Sequence, residues 1–231
     1  MGKHRELLKR VSIFADLDEQ GLDGLERLLV PHTYAKDALV VSHEEPGDAL
    51  YIIASGRAKA VLLGESGREI ILYLFRPGDF FGEMSLLDNE PRSATVQACE
   101  ETTVLVLKRE AFHRHIREYP QTALSILKEM SGRLRRADEI IGSLALLDVY
   151  GRVARMLREL ADKDGVEHEE GIFIKERPTQ QDIAAMIGTS RETVSRALND
   201  FAKRGFVEMN GKSILLRHSF LGSGDISRAD V

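Results

Sequence analysis

An α+β chain, built from an N-terminal β-barrel of the jelly-roll type, a long central helix and a C-terminal winged helix-turn-helix, is predicted by three observations. Residues 33–108 break into short β-rich runs such as 49–54, 58–63 and 69–75, separated by turn signals at Glu45-Pro-Gly-Asp48, Ser55-Gly56, Ser66-Gly67 and Pro77-Gly-Asp79. Many short strands at that spacing, with no helical pattern between them, indicate an antiparallel barrel or jelly roll. From about Pro120 to Leu146 the apolar residues then recur in heptads. Finally, residues 178–198 read as two short helices about a glycine turn, followed by a strand pair around Asn210-Gly211, the strongest short-range hairpin signal.

These signals divide the chain into a barrel domain with flanking helices at 1–119, a dimerisation helix at 120–147, a DNA-binding domain at 148–220 and a flexible tail at 221–231. An amphipathic helix around Leu22 to Leu29 precedes the barrel. In the central helix Leu127, Leu134 and Ile141 occupy one heptad position and Met130, Ala137 and Leu144 the other, which is a coiled-coil seam between two copies. The alternative is a stripe packed on the chain's own barrel. Asp148 to Leu160 opens the last domain with a helix of its own.

In the helix-turn-helix, Ile183, Ala184 and Ile187 before Gly188 share a buried stripe with Val194, Ala197, Leu198 and Phe201 after it. Ser190 is placed as N-cap of the second helix. Arg191, Glu192 and Arg196 then fall where a recognition helix meets base edges, with arginine suited to guanine O6 and N7 and glutamate to cytosine N4. An ordinary αα-hairpin with a solvated charged face is the plainer alternative, which the strand pair after it disfavours.

Composition is that of a soluble protein, 43% apolar and 30% charged. No apolar run approaches the roughly 18 residues of a membrane helix, the first residues lack an apolar signal region, and a cytoplasmic location is expected. The net charge of −5 falls on residues 1–148, because residues 149–231 carry 13 basic and 13 acidic side chains. That distribution predicts a site-specific DNA binder with modest non-specific affinity. The single cysteine, Cys99, is expected as a buried thiol in a strand-like run. It cannot by itself supply an iron–sulfur cluster. His113 and His115 face different sides of a helix and are expected at a solvated surface, so neither metal nor haem is expected.

Between two of the short strands, Phe81-Gly-Glu-Met-Ser-Leu86 is followed by Pro91-Arg-Ser-Ala-Thr95. Gly82 permits close backbone approach, Arg92 offers a planar fork to a phosphate, Ser93 adds a donor and Glu83 can accept from a sugar hydroxyl. This ordered set resembles the phosphate-binding cassette of the CRP/FNR family of bacterial transcription regulators. Leu144-Ala-Leu-Leu-Asp-Val149 with Gly151-Arg152 resembles the family's hinge, and Ser190-Arg-Glu-Thr-Val194 with Arg196 its recognition helix.

The resemblance covers almost the whole chain. It implies a cyclic-nucleotide-binding type of barrel, a homodimer and double-stranded DNA as partner, with RNA polymerase added if the protein activates. It also implies Glu83 on the ribose, Arg92 and Ser93 on the cyclic phosphate, and Gly82, Met84, Ser85 and Arg133 completing the pocket. Gln181, Ser190 and Thr193 would hold DNA phosphates, with Gln180 and Lys212 also at the DNA, on a palindrome with TGTGA-like half-sites.

One departure bears on the effector. Where the family's cyclic AMP receptors offer a Thr-Ser pair to the adenine, this chain has Ala137 and Asp138. Asp138 reads either as a surface partner of Arg135 or as an acceptor for a base, which suits guanine somewhat better than adenine. Cyclic AMP is the first choice, with cyclic GMP, cyclic di-GMP or no nucleotide as alternatives. A constitutive DNA-binding protein, its barrel used only for docking, is the rival reading. No nucleophile–base pair supports an enzyme.

Overall fold

The computed structural model describes residues 4–65 and 67–222, and the chain divides into two compact units, residues 1–135 and 136–231. The turn expected at Ser66 and the tail beyond Gly222 lie outside the described residues.

In the first unit a short helix α1 (Arg5–Leu8) and α2 (Glu19–Glu26) precede the barrel. Helix α2 starts at Asp18, whose carboxylate accepts from the Gly21 N–H at 2.7 Å, satisfying an otherwise orphaned helix donor. The strands are β1 (Val30–Tyr34), β2 (Leu39–Val41), β3 (Ala49–Ser55), β4 (Ala58–Leu63), β5 (Glu69–Phe75) and β6 (Phe80–Phe81). Helix α3 (Met84–Asp88) follows, then β7 (Thr95–Ala98), β8 (Thr102–Lys108) and helix α4 (Arg109–Glu118). They form two antiparallel four-stranded sheets, in the orders β1-β8-β3-β6 and β2-β7-β4-β5. The chain passes repeatedly from one sheet to the other, as a jelly roll requires.

Ala49, Ile53, Phe75, Phe81, Val96 and Val104 fill one buried cluster of the barrel. A second cluster, including Leu8, Phe14, Leu22, Leu105, Phe112 and Ile126, packs the flanking helices onto it. Cys99 sits one residue past β7 and is half-buried, so it belongs to the strand's exit rather than its core.

Helix α5 (Gln121–Leu146) is shared by the two units. Leu127, Leu134 and Ile141 are 62%, 65% and 64% exposed, and Leu144, Leu124 and Leu146 are exposed too. Met130 is half-buried and packs with Ile126 against the chain's own barrel, whereas the other five residues of the heptad stripe are exposed.

The second unit continues with α6 (Val149–Asp164), β9 (Gly165–His168), β10 (Gly171–Ile174), α7 (Gln180–Ile187), α8 (Arg191–Lys203), β11 (Val207–Asn210), β12 (Ser213–Arg217) and α9 (His218–Gly222). Each main helix is started by the residue type its terminus needs. Asp148 caps α6 through the Gly151 N–H at 2.8 Å, and Thr179 and Asp182 form a reciprocal capping box on α7. Gly188, in the left-handed region at φ 68°, ends α7, a conformation that favours glycine.

The strands form one antiparallel sheet, β11-β12-β10-β9. The hairpin β9–β10 was not foreseen in the sequence; it widens the expected two-stranded wing to four strands. Phe220 is fully buried and α9 runs to Gly222, so the folded domain extends two residues into the stretch expected to be tail. Among the described residues, no helix is long and apolar enough to cross a membrane.

Candidate functional site

The cassette is held against the barrel wall by β6, whose Phe81 and Phe80 pair with Tyr51 and Ile52 of β3. Gly82 follows with φ +88°, and a Cβ there would lie 2.6 Å from Arg92 Nη1 and 2.8 Å from Ala49 O. Only glycine fits that approach. Arg92 is 5% exposed. Its Nη1 donates to Gly82 O at 2.8 Å and its Nη2 to Ala49 O at 2.9 Å, while the guanidinium lies 5.5 Å from the Tyr51 ring centroid. Burial lowers the Arg92 pKa from its ordinary value, yet a guanidinium remains a cation at neutral pH.

Glu83, 1% exposed, immediately precedes α3. Arg133 of α5 donates from Nη1 to Glu83 Oε1 at 2.9 Å and from Nη2 to Phe80 O at 2.8 Å. Its guanidinium lies 4.9 Å from the Phe80 ring centroid and 5.8 Å from that of Tyr73. Glu83 Oε2 is buried with no hydrogen-bond partner among the described residues. Burial raises the Glu83 pKa above the ordinary carboxylate value and outweighs the opposing pull of Arg133.

Gly82, Glu83, Arg92 and Arg133 therefore meet in one place. Ser93 is exposed and its hydroxyl donates to Met84 Sδ at 3.7 Å, leaving both at the rim. Ser85 is buried, where its side chain packs against the turn at Gly47. Ala137 and Asp138 are exposed residues of α5, about one turn beyond Arg133. Tyr51, Tyr73 and Arg109 also belong to this region, and no motif in the sequence singles them out. Arg109 donates to Gly47 O, Ser85 O and Asn89 Oδ1.

The two histidines of α4 depart from the expected surface position. His115 is buried, 3.2 Å from Thr122 Oγ1 through Nε2, and sits edge-on to Phe14 and stacked on Tyr119. Burial lowers its pKa. His113 Nε2 lies 2.7 Å from Leu86 O. Both serve packing, and no cluster of metal-ligating side chains occurs among the described residues.

In the second unit Ser190 caps α8: its Oγ accepts from the Thr193 N–H at 3.2 Å and lies 3.0 Å from Thr193 Oγ1. Val194, Ala197, Leu198 and Phe201 are buried, which turns Arg191, Glu192 and Arg196 to solvent. The Glu192 carboxyl is held below its ordinary pKa by its own backbone N–H and the Ser190 hydroxyl, so at neutral pH it is an acceptor only. Gln181 is exposed and Gln180 half-buried in the first turn of α7. At the wing, Lys212 Nζ lies 3.6 Å from Glu176 Oε1. The Arg177 N–H donates to Lys212 O at 2.9 Å and its Nη2 to Gly211 O at 3.3 Å, fastening the wing turn beside the start of α7.

Comparison with known proteins adds to this geometry. Residues 31–119 match the family described as cyclic nucleotide-binding domain, and residues 151–219 match the Crp-like helix-turn-helix domain. A CRP-like cAMP-activated global transcriptional regulator of Mycobacterium tuberculosis is 36% identical over 214 residues, 93% of this chain and 96% of that protein. The solved structure of a CooA mutant from Carboxydothermus hydrogenoformans is 29% identical with a TM-score of 0.75, covering 84% of this chain and 85% of that one. The catabolite activator protein of Thermus thermophilus is 33% identical with a TM-score of 0.54, covering 91% and 95%.

Proposed function

The chain belongs to the CRP/FNR family of transcription regulators, and on that premise we propose that it works as a homodimer whose grip on DNA is gated by a cyclic nucleotide, cyclic AMP first. The relative from M. tuberculosis is described as cAMP-activated, and the intact Glu83, Arg92 and Ser93 favour the same ligand class here. A single observation carries the reading. Arg133, on the long helix, is bonded directly to Glu83, the cassette's sugar acceptor.

A ligand shifts a two-state protein only through its differential affinity for the two states, so the effector has to be felt by the element that moves. The buried, unpartnered Glu83 Oε2 is suited to accept a ribose hydroxyl, and any change at Glu83 is passed to α5 through Arg133. A cyclic phosphate would draw the Arg92 fork from the carbonyls of Gly82 and Ala49, giving the pocket distinct empty and filled states. Two copies joined along Leu127, Leu134, Ala137, Ile141 and Leu144 would then present two α8 helices to a palindrome with TGTGA-like half-sites. Arg191, Glu192 and Arg196 would read bases. Gln180, Gln181, Ser190, Thr193 and Lys212 would hold phosphates, and RNA polymerase would be engaged if the protein activates.

The test is operator affinity without effector and with cyclic AMP, cyclic GMP or cyclic di-GMP. Gating requires at least one of them to change it, and equal affinity throughout refutes gating while leaving DNA binding in place. A constitutive regulator is the second reading. It is favoured by Ala137 and Asp138 and by the two backbone carbonyls that Arg92 already bonds. Calorimetry separates the two, since a constitutive regulator takes up none of the three nucleotides.

A further inference from the structure

We propose that Arg109 is the positioning residue of the effector pocket: from the start of α4 it ties the turn at Gly47, the body of α3 and the cap of α3 into one frame behind Arg92. The proposal rests on the reading of this pocket as the effector site.

The geometry is that of one planar donor fork among three acceptors. Arg109 Nη2 donates to Gly47 O and, at 2.9 Å, to Ser85 O, while Nη1 donates to Asn89 Oδ1. Asn89 caps α3 in the left-handed region at φ 62°, so its backbone ends the helix while its side-chain oxygen receives the guanidinium. The Arg109 N–H also donates to Asp48 O at 2.8 Å, and Lys108 Nζ to Asp48 Oδ2 at 2.9 Å. The turn at 47–48 is thereby bound from one side by two successive residues.

On its other side that turn meets Arg92. A Cβ at Gly47 would fall 2.5 Å from Ser85 Cβ and 2.7 Å from Arg92 Cζ, so the Gly47 backbone is wedged between Ser85 and the phosphate-binding arginine. The Arg92 N–H donates to Glu45 O at 2.9 Å, and the Glu44 N–H to Arg92 O at 3.0 Å. Any displacement of the turn therefore displaces Arg92.

The two arginines differ in what an effector does to them. Arg92 must exchange its carbonyl acceptors for a phosphate, whereas all three acceptors of Arg109 belong to the protein and survive in either state. Arg109 is thus the permanent half of the frame, holding it in shape while Arg92 changes partners, which is preorganisation in the ordinary sense. A planar guanidinium reaches several acceptors at fixed angles, and a lysine ammonium cannot reproduce that fork.

Amide hydrogen exchange on the full-length, nucleotide-free protein, paired with calorimetric titration of cyclic AMP, tests this with Arg109→Met and Arg109→Lys. In Arg109→Met the amides of Glu44, Leu86, Leu87 and Arg92 are expected to exchange about tenfold faster, with the β3–β8 ladder unchanged and cyclic AMP bound about tenfold more weakly. Arg109→Lys should fall between the wild type and the methionine variant in both measurements. Unchanged exchange at those four amides overturns the proposal, and so does an equal loss of protection across the whole barrel, which would make Arg109 a residue of the fold and not of the pocket. If the wild type takes up no cyclic nucleotide, the effector reading fails by itself, and the exchange pattern still decides whether Arg109 organises the loop.

Discussion

Arg133 Nη1 donates to Glu83 Oε1 across 2.9 Å, while the second oxygen of Glu83 is buried without a hydrogen-bond partner among the described residues. One carboxylate thus meets the long helix with one oxygen and keeps the other buried and unpaired. Two expectations for ligand and helix meet in this pair, and its protonation has a measurable consequence.

Burial raises the Glu83 pKa above the ordinary 4.5, so the folded chain holds this proton more tightly than the unfolded one. The resulting stability is complete below pH 4.5 and is lost as pH rises through the folded-state value. Urea unfolding from acid to neutral pH should therefore show the stability of Glu83→Gln gaining on that of the wild type as pH rises. A constant difference across that range would show that Glu83 titrates like an exposed glutamate.

Arg92→Leu should abolish cyclic AMP binding and also destabilise the barrel. The second effect arises because Gly82 O and Ala49 O lose their guanidinium donors, at about 1–3 kcal/mol for each buried acceptor left unsatisfied. Thermal unfolding without ligand checks the second effect independently of calorimetry. A wild-type melting temperature would mean that the two bonds carry no net energy.

Leu134→Glu should separate the copies without unfolding them. Leu134 is an exposed position on α5, glutamate and leucine have similar helix propensity, and two facing carboxylates in an apolar seam would repel. Sedimentation should report a monomer, and affinity for a palindromic site should drop while a single half-site is still bound weakly. A dimer of unchanged strength would move the interface elsewhere.

Glu192→Ala should relax discrimination at one base pair per half-site by about 1–3 kcal/mol, because the side chain is an exposed acceptor at the start of α8. Thr193→Ala should instead weaken all sequences alike, partly by removing the hydroxyl that neighbours the Ser190 cap. Competition among operators with single-base changes distinguishes the two. Equal losses across every operator for both variants would withdraw Glu192 from base reading.

Much of this architecture is legible locally. The recognition helix could be placed from Ser190, Gly188 and the buried stripe Val194, Ala197, Leu198 and Phe201, since caps, left-handed turns and helical periodicity involve residues only a few positions apart. The barrel followed from strand length and turn spacing in the same way. Helix α3 escaped because five residues are too few for a period. The hairpin β9–β10 is not legible because Glu169-Glu170, which join its strands, carry none of the glycine or asparagine signals of a tight turn.

The site was legible in kind and not in arrangement. Glu83 and Arg92 stand in a recognisable order, and Arg133 has a place on the helix. Their bonding is not written in any local pattern: Glu83 meets a residue 50 positions away, Arg92 one 43 positions away and Arg109 one 62 positions away. His115 shows the same limit. Its spacing from His113 suggested a solvated face, and burial against Phe14 and Tyr119 overrode it. Residue types, caps and periods are properties of neighbouring atoms and can be read along the chain. Which oxygen of Glu83 is satisfied, and which face of α5 remains open once Ile126 and Met130 are covered, depends on groups that only folding brings within hydrogen-bond or van der Waals distance.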